Sequence, residues 1–138
     1  MNINEKQDAV IKEFDNLNDW MDKYEYLIES GRELEPYDEK LKTEEHLIQG
    51  CQSRVWLNVE NIDGRIIFTA DSDAIITRGM ISLLIRVLSG QKPEDIANAD
   101  LYFPEKMGLK DNLSPTRANG LLSMIKQMKL YAARTTND

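Results

Sequence analysis

The chain carries one thiol, Cys51, and one imidazole, His46. A lone cysteine ordinarily serves as a small apolar packing residue. The neighbours of Cys51 are Gln49, Gly50, Gln52 and Ser53, polar or small residues that belong to a turn and not to an apolar face. A loop thiol acts as a nucleophile or acceptor only as thiolate, and with an ordinary pKa of about 8.5 it is ionised to a few per cent at neutral pH. Reactivity therefore requires nearby positive charge, amide donors or a partner's active site. Arg54 is the nearest cation in sequence, with solvation on a strand as its ordinary role. Arg117 is a more distant candidate whose ordinary role is a salt bridge near a helix start.

His46 is the one residue that could deprotonate Cys51 as a Cys–His pair. Five residues of extended chain separate them by more than about 10 Å unless the loop folds back, so a Cys–His hydrolase is a poor reading. A structural zinc site wants four Cys or His ligands and clusters are held by several thiolates; two such residues exclude a metal site or cluster scaffold of that kind. No Gly-rich phosphate loop and no Gly-x-Ser-x-Gly elbow occurs. Asp71, Asp73 and Glu44-Glu45 could form acid/base pairs, but helix capping accounts for Asp71 and Asp73 and a polar connection for the glutamates.

The elements that must position Cys51 follow from periodicity. Val10, Ile11, Phe14 and Leu17 predict a helix over roughly residues 5–17. A second, capped by Asn18 or Asp19, presents Trp20, Tyr24, Leu27 and Ile28 and stops at Gly31. Residues 32–45 hold Pro36 and six acidic residues and read as a long surface connection. His46-Leu-Ile-Gln49 is then expected as a short strand, Arg54 to Glu60 as the central strand, and Arg65 to Thr69 as the third, with Asp63-Gly64 in the tight turn between the last two. A helix to about Leu88 is apolar on nearly all faces, with Gly79 permitting close backbone approach. Pro93 opens a short helix, residues 100–112 are irregular around Pro104 and Gly108 with their aromatics docked on the core, and Ser114-Pro115 starts a closing helix. That helix turns Leu121, Leu122, Met124, Ile125, Met128 and Tyr131 inward. The expectation is one α+β domain over residues 1–138, a three-stranded antiparallel sheet covered by helices.

At 138 residues the chain can bury a core without disulfides or metal. One cysteine makes no internal disulfide, the first ten residues are polar, and the apolar stretch from Ala74 to Leu88 is broken by Arg78 and Arg86. A reducing cytoplasm, with no membrane segment, is expected. A net charge of −7 argues against nucleic acid as partner and otherwise reads as solubility.

The stretch His46-Leu-Ile-Gln-Gly-Cys-Gln-Ser-Arg-Val-Trp56 resembles the signature of the SufE family of sulfur-acceptor proteins. The resemblance continues through Gly64-Arg-Ile-Ile-Phe68, Ala70-Asp-Ser-Asp-Ala-Ile-Ile-Thr-Arg-Gly79 and Leu113-Ser-Pro-Thr-Arg-Ala-Asn-Gly-Leu121, with Trp20, Tyr24, Tyr26, Leu27, Ile28 and Gly31 fitting the N-terminal helix pair. It implies a fold shared with IscU-type scaffolds and an acceptor thiol at Cys51. It also implies a SufS- or CsdA-type cysteine desulfurase as partner, with pyridoxal phosphate on that partner and no cofactor on this chain. Sulfur would pass as a persulfide to a SufBCD-type assembly complex, and the reading allows a homodimer. Asp73 and Arg117 match polar family positions near the acceptor loop, which implies loop orientation or docking. The acidic connection over 32–45 follows no family motif, and partner specificity would diverge there. From another class stands a protein-interaction module in which Cys51 only packs.

Overall fold

A computed structural model describes residues 1–136. Helices α1 (Ile3–Asp15) and α2 (Trp20–Arg32) form as expected; both pack on the third helix, and they meet each other where Phe14 sets its ring edge-on to Trp20 and Tyr26. Asn2 and Glu5 close a capping box on α1, and the Asp19 carboxylate accepts the Asp22 N–H. The connection that follows is pinned by one-turn 3-10 segments, Glu39–Leu41 and Glu44–His46, and by Lys42, which pairs with Asp71 at 3.0 Å and lies over the Trp56 ring.

Strands β1 (Val55–Ile62) and β2 (Arg65–Ser72) pair antiparallel. Asp63 (φ 53°) and Gly64 (φ 81°) both take the positive φ that a two-residue hairpin turn demands. The third strand expected at 46–49 does not form. The backbone N–H groups of His46 and Leu47 are spent in the 3-10 turn, and Gly50, at φ 90°, turns the chain away. Only Leu47 and Ile48 lie extended beside β1, through the Leu47–Trp56 bridge and an Ile48 N–H to Val55 C=O bond of 2.9 Å. The sheet has two strands.

Helix α3 (Ile75–Leu88) is the buried centre expected from its composition: Met80, Ile81, Leu83, Leu84, Val87 and Leu88 are all almost fully enclosed. Each contributes about 1.5–3 kcal/mol of hydrophobic stabilisation. Asp71 and Asp73 do not cap it. The N-cap is Ala74, whose N–H goes to Ser72 Oγ, while Asp71 takes Lys42 and Arg78 in ion pairs.

Helix α4 (Pro93–Ala97) is followed by two single turns, α5 (Phe103–Lys106) and α6 (Leu109–Asn112), where an irregular segment was expected. Pro104 fits the first turn of α5, and Gly108 (φ 71°) resets the chain for α6. Phe103 docks on the core as anticipated. Helix α7 (Pro115–Thr136) closes the fold, Ser114 Oγ accepting the Arg117 N–H at 3.3 Å. Leu121, Met124, Met128 and Ala132 face the core, whereas Leu122, expected inward, is 60 % exposed. Buried residues from α1, α2, α3, both strands and α7 form one cluster.

Candidate functional site

Cys51 sits in a loop strung between two posts. On the N-terminal side Ile48 is buried and bonded to Val55. Gly50 is pressed against α7 so closely that a Cβ there would lie 2.4 Å from Ser123 Oγ. On the C-terminal side the backbone of Arg54 is gripped at both ends. Its N–H donates to Asp73 Oδ1 (3.1 Å), and its carbonyl accepts from Ser72 Oγ (2.7 Å) and the Asp73 N–H (3.3 Å). Between the posts, among the described residues, 49–53 make one hydrogen bond, from Cys51 Sγ to the Gly120 carbonyl at 3.5 Å.

Gly120 is buried inside α7, and a Cβ there would meet Cys51 Sγ at 3.7 Å, an ordinary van der Waals contact. The half-buried thiol opens on a cavity of about 430 Å³ between the loop, α3 and the start of α7. Its inner wall is Met80 and Met124, both fully buried; its rim is Ser114, Thr116 and Arg117, all exposed. No carboxylate lines it, and Arg117 is its one cation among the described residues.

Burial pushes the Cys51 thiol up from its ordinary value. The Gly120 carbonyl acts in the same direction, because it accepts from S–H and would face a thiolate with its negative end. In this position the Cys51 thiol is half-sheltered and held toward its protonated form.

The candidates named from sequence therefore separate. Arg117 reaches the cavity rim; Asp73 holds the end of the loop through the Arg54 backbone; the exposed Arg54 side chain does not line the cavity. His46 bonds to Thr43 Oγ1 (2.8 Å) and borders a different cavity with Tyr131 and Arg134. Sequence reasoning missed Ser123, the Gly120 carbonyl and the two methionines. The available signal was Gly120 itself, a glycine inside a helix with no turn to make. Among the described residues no group of three or more His, Cys, Asp or Glu side chains could hold a metal ion, and no helix is long and apolar enough to cross a membrane.

Fold and site together define a one-cysteine α+β domain that carries its thiol on a loop at the mouth of a cavity. The chain belongs to the SufE family: the model of the Fe–S metabolism associated domain matches residues 8–132. It is 39% identical over 130 residues to an uncharacterized SufE-like protein of Rhizobium meliloti, covering 91% of this chain and 93% of that one. A second SufE-like protein, of Rhizobium etli, is 39% identical over 128 residues with 88% and 86% covered. SufE-like protein 1, chloroplastic/mitochondrial, of Arabidopsis thaliana is 37% identical over 128 residues; the match covers 92% of this chain but spans only 34% of that longer protein. Among solved structures, the solution structure of a hypothetical protein from Thermus thermophilus superposes with a TM-score of 0.79, covering 96% of this chain and 97% of that one. At 18% identity that likeness speaks for the fold alone. The family resemblance read from the Gly-Cys-Gln-Ser loop and the Ser-Pro-x-Arg segment is borne out.

Proposed function

We propose that the chain is a sulfur carrier: Cys51 takes persulfide sulfur from a pyridoxal phosphate-dependent cysteine desulfurase, stimulates that enzyme by clearing it, and hands the sulfur to an iron–sulfur assembly complex. The observation that carries the reading is the chain's only thiol, seated in a loop whose residues 49–53 make one hydrogen bond among the described residues, beside a cavity with Arg117 at its rim. The Cys51 thiolate attacks the outer sulfur of the partner's cysteine persulfide. The partner's S–S bond breaks as a new one forms on Cys51, and the partner's cysteine departs as a thiolate, with no net oxidation.

Such a reaction needs the loop to turn outward. Leaving the Gly120 carbonyl and the methionine wall removes both influences that hold the thiol protonated, and Arg117 at the rim is placed to meet an anionic sulfur. The partner's active site supplies what this chain lacks, since His46 stands elsewhere.

Mass spectrometry tests the proposal. Incubated with desulfurase, pyridoxal phosphate and cysteine, the protein should gain the mass of one or more sulfur atoms at Cys51. Absence of that gain, or unchanged desulfurase turnover with Cys51→Ala, rejects it. The half-burial of Cys51 favours a second reading, an interaction module with a packing thiol. Alkylation separates the two: a carrier's Cys51 labels faster once the desulfurase is bound, hydrogen exchange over 48–54 rising with it, whereas a packing thiol stays inert.

A further inference from the structure

Helix α7 departs from the rest of the molecule in its charge. The chain carries a net −7, yet the 22 residues of α7 contain Arg117, Lys126, Lys129 and Arg134 and no Asp or Glu. Elsewhere, among the described residues, Arg32, Lys42, Arg78 and Arg86 form ion pairs within the fold and the other cations do not. Among the described residues none of the α7 bases is so paired. Lys129 is spent on the Ala99 carbonyl, and Arg134 lies over the Tyr131 ring with its charge exposed.

The outward face of the helix has a pattern. Leu122, Lys126, Leu130 and Arg134 recur at i, i+4 spacing, which aligns them as one ridge. All four are exposed, Leu122 at 60 % and Leu130 at 40 %. At about 1.5 Å of rise per residue the ridge is about 18 Å long. Beside Leu122 runs a groove of about 280 Å³ with Leu101, Pro104 and Ile125 in its wall and Lys110 at its edge. Glu105 also borders that groove, and Glu45 borders the cavity next to Arg134, but neither forms an ion pair with α7.

We propose that this ridge is a docking surface for an acidic, apolar-dotted face of another protein, distinct from the mouth around Cys51. Alternating leucines and unpaired bases complement a surface that offers carboxylates between apolar contacts. A nucleic acid or an anionic bilayer is an extended negative surface that meets the acidic remainder of the chain along with the ridge, and a net −7 opposes that approach. A protein patch meets the ridge alone. The ridge lies on the side of α7 opposite Leu121, Met124 and Met128, whereas Gly120 and Met124 adjoin Cys51. A partner held there leaves the thiol's mouth open, so docking on the ridge and sulfur loading at Cys51 can proceed on one molecule.

The test uses the full chain, isotope-labelled for NMR, and three probes: a synthetic amphipathic helical peptide with Glu and Leu at i, i+4 spacing, a single-stranded oligothymidylate, and phosphatidylglycerol vesicles. The acidic peptide should shift resonances of residues 118–134 and weaken as salt rises. Lys126→Glu with Arg134→Glu should lower its affinity by about tenfold or more, while the circular dichroism spectrum and the Cys51 alkylation rate stay unchanged. Peptide shifts elsewhere or absent, unaltered affinity in the double variant, or tighter binding of the oligonucleotide or vesicles overturns the proposal. Because Cys51 alkylation needs no desulfurase, failure of the ridge is distinguishable from failure of the carrier reading.

Discussion

Two close contacts made by glycines, one between α2 and α3 and one between the Cys51 loop and α7, are built to opposite ends. At the first, backbone presses on backbone: a Cβ on Gly79 would stand 2.1 Å from the Leu27 carbonyl oxygen, and one on Gly31 would stand 2.9 Å from the Gly79 nitrogen. Neither side can yield without moving a helix. At the second, a Cβ on Gly50 would meet side-chain atoms of Ser123, the rotatable hydroxyl at 2.4 Å and Cβ at 3.3 Å, and among the described residues the one hydrogen bond within 49–53 is a weak S–H to carbonyl contact. Tightness is concentrated in the scaffold, and the segment bearing the thiol is left at the low-stability end, where local opening costs least.

The largest expected effect comes from breaking the rigid member of this pair. Gly79→Ala gains helix propensity of about 1 kcal/mol, but separating two helix backbones should outweigh it for a net loss of roughly 2–4 kcal/mol. Urea unfolding measures this; a neutral or stabilising result would mean that α2 and α3 are not locked. The corresponding change in the loop, Gly50→Ala, should cost about 1–2 kcal/mol, because φ 90° is strained for any residue with a Cβ. Adding Ser123→Ala removes the hydroxyl clash but neither the 3.3 Å approach to the Cβ at 123 nor the strain, so the double variant should remain less stable than Ser123→Ala alone.

A smaller change acts on the loop's second post. Asp73→Ala removes the acceptor of the Arg54 N–H in an exposed setting, for about 1 kcal/mol or less. Its effect should be clearer in dynamics than in stability. Cys51 should alkylate faster and amide exchange should rise across 49–54, with α2 and α3 unaffected; equal rates in variant and parent would show that Asp73 does not hold the loop.

The contrast was only half legible in the sequence. Gly79 announced a close approach, because a glycine amid Ile, Met and Leu has no other use, and the α+β order followed from periodicity and the Asp63-Gly64 turn. The third strand was misread because His46-Leu-Ile-Gln49 has strand composition, while the competing 3-10 turn at 44–46 is set by backbone bonds that composition does not report. Cys51 and Arg117 were legible as types, and the structure brings both to one cavity. Asp71-Ser72-Asp73 looked like caps, since nothing local reveals that Asp73 is used across the chain by Arg54. Leu122 was placed inward by its type alone, although its position on α7 lies opposite Leu121 and Met124.

The smallest effect concerns the thiol's proton. Burial raises the Cys51 thiol in the folded state above its unfolded value, so the fold binds this proton more tightly than the unfolded chain does. The stability so conferred is fully present below the unfolded thiol's pKa and is lost as pH rises through the folded one. Tyr26, raised chiefly by burial, and Tyr37, pushed up to about 12 by burial first, act with the same sign at higher pH. The difference between parent and Cys51→Ser therefore isolates the thiol. Urea unfolding at successive pH values from neutral into the alkaline range should give a parent curve that falls more steeply than the variant's, beginning near the unfolded thiol's pKa. Parallel curves would mean that the loop already exposes Cys51 most of the time, and would move the outward turn of the loop from a step made with the partner to a property of the free protein.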